Sequence, residues 1–362
     1  MPSDRPLQRR QVLRLATLAT GASLFPSACR AINSTVADNK VTAQSASSSP
    51  LNPPQISKVV LVYNEDRSAG TRQALDLLQP TGLKGKTVFL KPNYNTGDPA
   101  PAATDSQLLE TLIQEFQGAQ VGEMTIGDRS GMADTRQAME QKGVFQLGEK
   151  YGVKTLVFDE MEAEKWQYIS AEGTHWQKGF AFARPILDSE AIVNTCCLKT
   201  HQYGGHFTLS LKNSVGMVAK YVPGDSFNYM GDLHSSAHQR LMIAEINQAY
   251  KPSLVLLDGV EAFVNGGPAS GKKVRSNVIL AGVDRVAIDV VAIALLRLLG
   301  TTNQVSNGSI WELEQIQRAV ELGLGIGQSE QIEFITPDAK SRGIVDQIRP
   351  LTKCRQKFPI PL

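Results

Sequence analysis

The sequence predicts an α/β fold, a mostly parallel sheet with helices on both faces in one elaborated domain. Three observations carry that expectation. Short β-branched runs alternate with helical patterns, the runs are apolar nearly throughout, and charged or glycine-rich turns follow them. Of the 362 residues, 42% are apolar and 20% charged, which sets aside disordered, collagen-like and disulfide-scaffold classes.

The first element is an address. Arg5, Arg9, Arg10 and Arg14 against Asp4 give residues 1–29 a net charge of +3, so the remainder of this +2 chain is nearly neutral. The apolar run Leu15–Phe25 and the small residues Ser27-Ala28 complete the pattern of an export signal, too short and too rich in Thr, Gly and Ala to span a bilayer permanently. Arg9-Arg10, with Val12-Leu13 and Arg14 behind, resembles the twin-arginine signature of export machinery that carries folded proteins. Cys29 follows Phe-Pro-Ser-Ala, similar to a lipoprotein cleavage box except for Pro26. The expected location is the periplasm, free or membrane-tethered through Cys29. Residues 30–56, rich in Ser, Ala, Asn, Thr and Pro, read as a flexible linker. Residues 57–362 are the expected domain.

Within that domain the expected strands are Lys58–Tyr63, Thr87–Leu90, Met124–Ile126, Thr155–Phe158, Ala191–Asn194, Leu254–Leu257, Val278–Ala281 and Ile332–Ile335. Thr104–Gln117 places Leu108, Leu109, Leu112, Ile113 and Phe116 on one helical stripe, with Thr104 or Asp105 as cap. Val286–Leu299 is apolar almost all round and predicts a buried helix. Gly131–Lys150, Ser236–Tyr250 and Ser309–Leu322 are the other helical segments. Residues 159–190, with Trp166, Trp176 and two short strand patterns, read as an insertion or cap.

In open α/β sheets ligands bind at the carboxyl ends of the strands. Five expected strands run into polar or glycine-rich turns: Lys91-Pro92-Asn93, Gly127-Asp128-Arg129-Ser130-Gly131, Lys199-Thr200-His201, Asp258-Gly259 and Gly282-Val283-Asp284. That recurrence predicts a shared crevice. Lys199 and His201, two apart on an extended chain, would point the same way. Lys91, Lys199 and Lys212, with Asn93 and Asn213 as neutral donors, suit an anionic ligand such as a carboxylate or phosphate. Gly266-Gly267-Pro268 would let backbone approach that ligand, although no Gly-Lys-Ser/Thr follows to make a P-loop.

Lys91-Pro92-Asn93, the Gly127–Gly131 turn, Lys199-Thr200-His201, Lys212-Asn213 with Gly216, Asp258-Gly259, Gly267-Pro268 and Val286-Ala287-Ile288-Asp289 stand in the order of the domain of unknown function 362 family, which the chain resembles over about residues 57–300. The resemblance implies that these positions form a shared polar core; it implies no particular reaction. Some members carry a ferredoxin-like iron–sulfur segment. The clustered cysteines of such a segment are absent, so no cluster is expected in this chain, while a redox partner stays compatible with it.

The five histidines are His175, His201, His206, His234 and His238. His234 and His238 have the i,i+4 spacing of metal ligands, though Ser235-Ser236 breaks any H-E-x-x-H pattern. Joined by His201 or His206 and by Asp258, they define a candidate divalent-metal set; His201 could equally be a general base. Asp289, inside an apolar helix, needs a polar partner. Cys196 and Cys197 should face opposite sides of a strand, as two small buried residues or with one bridged to Cys354. The leading expectation is an exported enzyme for a small anionic metabolite, with Lys91, Lys199 and Lys212 on the anion, His201 moving a proton or holding metal, and Asp128 and Asp258 orienting these groups. A solute-binding lipoprotein and a metal or redox accessory protein are the alternatives. Net charge is too small to suggest nucleic acid.

Overall fold

The structure is a computed structural model that describes residues 56–353; the leader, nearly all of the linker, Cys29 and Cys354 lie outside these residues. Its strands are β1 (Ser57–Tyr63), β2 (Val88–Lys91), β3 (Met124–Asp128), β4 (Lys154–Val157), β5 (Trp166–Ile169), β6 (Phe180–Ala183), β7 (Ala191–His201), β8 (His206–Thr208), β9 (Leu254–Gly266), β10 (Gly271–Gly282) and β11 (Ile332–Ile335). The main sheet has the order β11-β1-β10-β9-β7-β2-β3-β4, with β8 folded back onto the end of β7. β4, β3, β2, β7 and β9 are mutually parallel, and β1 is parallel to β11. β10 runs antiparallel to both β9 and β1. The fold is thus α/β with a mixed, mostly parallel sheet.

Strand alternation divides the core. Val60, Val62, Leu90, Ile126 and Leu256 pack on one face with the helix Ser106–Gly118. Val59, Leu61, Leu198, Leu257 and Leu280 pack on the other with the helix Arg285–Leu298, whose residues Arg285 to Leu296 are all buried. Both helices start at an aspartate. Asp105 accepts from the amides of Gln107 and Leu108, and Asp284 from those of Val286 and Ala287. The segment 159–190 forms the β5-β6 pair, and its Trp166, Trp176, Phe180 and Phe182 make a third apolar cluster with Phe89, Phe158 and Met217.

Several boundaries differ from the sequence reading. Gly143, at φ 68°, divides 131–150 into the helices Thr135–Gln141 and Val144–Tyr151. The helix of 236–250 is shorter, Gln239–Ile246, and that of 309–322 becomes Glu314–Glu321 after a 3-10 turn. β7, β9 and β10 are far longer than their apolar runs, because pairing carries through polar residues to His201, Gly266 and Gly271. Two expected strand ends are thereby corrected. Asp258 lies inside β9, and Asp284 follows an antiparallel strand, which puts it at the opposite end of the sheet.

Candidate functional site

The three remaining ends belong to β3, β2 and β7, adjacent and parallel, so Asp128, Lys91 and the Lys199–His201 segment emerge on one side of the sheet. They line a cavity of about 570 Å³ together with Asn93, Lys212 and Asn213. The segment after β8 closes it from above, and β9-β10 contributes Pro268.

Lys91 and Asp128 form a buried ion pair at 2.7 Å. Lys91 Nζ also donates to the Pro92 carbonyl at 2.7 Å, and the Asp128 carboxylate accepts from the amides of Tyr94 (2.6 Å) and Arg129 (2.7 Å). Burial draws the Lys91 ammonium below its ordinary pKa and the Asp128 carboxyl above its own, while their mutual attraction opposes both shifts. Gly216 makes room for this pair. A Cβ there would stand 2.5 Å from Asp128 Oδ1 and 2.9 Å from Lys91 Nζ. Arg129, also buried, donates to the carbonyls of Val215 and Val218, each at 2.6 Å, and so ties the covering segment to the end of β3.

Lys199 is held by three neutral oxygens: Asn93 Oδ1 at 2.7 Å, the Ala102 carbonyl at 2.5 Å and the Pro268 carbonyl at 3.3 Å. Burial is the first cause of its lowered pKa. Gly267 serves this arrangement from outside the cavity lining. It sits at φ 71°, and a Cβ on it would meet the Thr200 carbonyl at 2.1 Å. Asn213 is likewise fully used. Its Oδ1 accepts from Asn93 Nδ2 at 3.1 Å, and its Nδ2 donates to Asn194 Oδ1 at 2.6 Å and to the Thr195 carbonyl at 3.0 Å.

Lys212 differs. It lies on the short turn Ser210–Asn213, is buried, and has no hydrogen-bond or carboxylate partner among the described residues. Burial, with Lys199 and Arg129 nearby, lowers its pKa to about 7. Gly205 packs on it; a Cβ there would be 2.6 Å from Lys212 Cε and 3.2 Å from His201 Nδ1, so amine and imidazole flank the same glycine. His201 is buried and its Nδ1 has no partner. Burial, then Lys212 and Lys199, hold it far below the ordinary imidazole range, hence neutral. At the rim, His234 Nδ1 donates to the Met230 carbonyl at 2.8 Å, which leaves Nε2 as an acceptor; partial enclosure and Lys212 lower its pKa too.

The candidate metal set does not assemble. His201 and His234 line the cavity, whereas the ring of His238 lies against His175 at 4.7 Å, outside it. Asp258 is engaged by Arg67 at 2.8 Å. His206 does not line the cavity. Among the described residues no three His, Cys, Asp or Glu side chains are grouped as a metal site. Cys196 and Cys197 are buried free thiols on opposite faces of β7.

Sequence reasoning missed the mouth. Met132, Tyr203 and Tyr221 line it and are 55%, 53% and 54% exposed, an apolar rim around a polar floor. Tyr203 had a signal, standing two residues after His201 and before Gly204-Gly205. Met132 had one too, directly following the Gly127–Gly131 turn, whereas nothing in the sequence near Tyr221 marks it as a cavity residue.

The family model for the domain of unknown function (DUF362) matches residues 88–294. A thylakoid-associated protein of Synechocystis sp. (strain ATCC 27184 / PCC 6803 / Kazusa) is 24% identical over 260 residues, 67% of this chain and 75% of that protein. Among solved structures, the lactate racemase apoprotein from Thermoanaerobacterium thermosaccharolyticum is similar at a TM-score of 0.39 and 11% identity, over 82% of this chain and 87% of that one.

Proposed function

The chain belongs to the domain of unknown function (DUF362) family, and from that premise we propose that it is an exported enzyme whose cavity binds a small anionic metabolite and moves a proton on it. One observation carries the reading. Of the three buried lysines of the cavity, Lys91 is neutralised by Asp128 and Lys199 is saturated by oxygens, while Lys212 faces the space with no partner. A buried ammonium without a counter-ion is costly, so the site is incomplete until an anion enters. Lys199 and Arg129 add positive potential without direct contact, which matters because the domain as a whole is nearly neutral. Lys91, Asp128, Asn93 and Asn213 act as a scaffold that sets the turn and the strand ends.

His201 supplies the chemistry in this reading. It is neutral in the free protein, with an unpartnered nitrogen beside Lys212. A bound anion raises the pKa of both groups, so the imidazole becomes able to accept a proton as the ligand arrives. Exported placement, with or without a lipid on Cys29, belongs to the same proposal and rests on the leader sequence.

Calorimetric titration with acetate, pyruvate and phosphate tests the site. At least one anion should bind in a one-to-one ratio, with affinity falling as pH rises through about 7, where Lys212 loses its charge. Lys212→Met should weaken binding by about tenfold or more. Unchanged affinity in that variant would overturn the assignment. Binding with no turnover of any ligand recovered from natively purified protein would move the reading to a solute-binding protein.

A further inference from the structure

We propose that Lys212 is a covalent nucleophile that forms an imine with the carbonyl carbon of a small oxo-carboxylate, a step that rests on the anion-binding reading above. The geometry distinguishes it from every other lysine of the cavity. Lys91 and Lys199 spend their donors on fixed oxygens, and Lys220 at the rim is paired with Asp159 at 3.3 Å. Lys212 alone among these four lines the cavity with no hydrogen-bond or carboxylate partner among the described residues.

Two features suit that nitrogen to attack. Near pH 7 the ammonium and the neutral amine are both populated, because burial and the nearby Lys199 and Arg129 oppose protonation, so the charged form can attract the acid and the neutral form can attack; a desolvated lysine beside another cation is one of the recognised ways to activate the residue. Its backbone is also held. The Asp289 carboxylate accepts from the amides of Ser210 (2.8 Å) and Leu211 (3.0 Å) and from Ser210 Oγ (2.6 Å), which fixes the turn that carries Lys212.

An oxo-carboxylate uses both properties of the site. Its carboxylate is attracted by the positive potential of Lys199 and Arg129, and its carbonyl is presented to the amine. The lone pair of Lys212 Nζ forms the C–N bond while the carbonyl π pair moves to oxygen. A proton passes from the nitrogen to the oxygen, giving the neutral carbinolamine. Loss of hydroxide as water, with one further proton from nitrogen, leaves the imine. Amine and carbonyl become imine and water, with nothing oxidised or reduced. Met132, Tyr203 and Tyr221 line the mouth through which the acid would enter.

The test is reductive trapping on the intact protein at pH 7 with glyoxylate, pyruvate or 4-carboxybenzaldehyde and sodium cyanoborohydride, followed by peptide mapping. Acetate, which has no electrophilic carbonyl, is titrated in parallel. The expected result is a reduced adduct on Lys212 in at least tenfold excess over any exposed lysine, suppressed by acetate. If the acids bind but adducts are absent, or are spread evenly over surface lysines, the imine is overturned while anion binding stands. If neither acetate nor the oxo acids bind and Lys212 is unmodified, both fall. Because the site is mapped in the unaltered protein, no substituted chain has to fold.

Discussion

Asp289 and Ser210, 79 positions apart, are joined by two hydrogen bonds: the carboxylate accepts from the Ser210 amide at 2.8 Å and from its hydroxyl at 2.6 Å. A third, from the Leu211 amide, completes the cap. This connects the most buried helix of the domain to the turn that presents Lys212 and Asn213, so packing of the helix Arg285–Leu298 sets the position of the cavity amine.

Asp289→Ala should destabilise the fold by about 2–4 kcal/mol in urea denaturation, because the buried amides of Ser210 and Leu211 lose their acceptor, while the Ser210 hydroxyl keeps the Arg285 carbonyl. Asp289→Asn keeps one acceptor oxygen and should cost less. Ligand affinity should fall in both, as the turn loosens.

The same residue predicts a pH dependence. Burial raises the Asp289 pKa to about 7 in the folded state, against about 3.9 in an unfolded chain. The folded state therefore binds this proton more tightly between those values, and stability from this group declines as pH rises across the window. The unfolding free energy of wild type minus that of Asp289→Asn should decrease from pH 4 to pH 7 and level off above it. A difference that grows with pH would contradict the assignment.

Lys91 and Asp128 should behave as a coupled pair. Lys91→Met or Asp128→Leu alone leaves a buried charge without its partner, at about 3–5 kcal/mol. The double variant should be more stable than the sum of the two losses implies, by about 1 kcal/mol or more. Simple additivity in denaturant titrations would show that the pair contributes nothing as a pair.

Gly216 and Gly205 should respond differently to alanine. At Gly216 the new methyl would press on a fixed ion pair, and a stability loss of about 1–3 kcal/mol is expected. At Gly205 it meets the flexible stem of Lys212 and the edge of His201, so the thermal midpoint should move little while anion affinity drops. Equal stability losses in the two variants would argue against an unpartnered Lys212.

Cys196 and Cys197 should resist thiol reagents in the native protein. Burial raises both thiols, Cys197 to about 11, and neither is accessible. Alkylation at neutral pH followed by peptide mapping should leave both unmodified until denaturant is added.

Much of the site was legible because its parts sit where short apolar runs stop. Lys91, Asp128 and Lys199 each interrupt an aliphatic stretch, and their spacing along parallel strands is enough to bring them together once the strands are adjacent. The same logic failed at Asp258 and Asp284. Local patterning cannot say that pairing continues past a charged residue, nor that one strand of an otherwise parallel sheet runs the other way. His238 and Asp258 were grouped with His201 and His234 on residue type and spacing, but the helix Tyr229–Ser235 that carries His234 ends before His238, which caps the next helix, so the i,i+4 spacing never places the two rings on one helical face.

From the sequence alone came the α/β class, the placing of the main helices and strands, the export leader as an expectation, and a cluster of lysines and asparagines as the place to look. These follow from periodicity and from the cost of burying charge, both local properties of the chain. Tertiary structure decided which lysine is free. Lys91, Lys199 and Lys212 are indistinguishable as residue types, and only the contacts made across strands and turns show that two are satisfied and the third is not. That difference depends on distances between residues far apart in sequence, such as Asp128 to Lys91, Ala102 to Lys199 and Asp289 to the turn before Lys212.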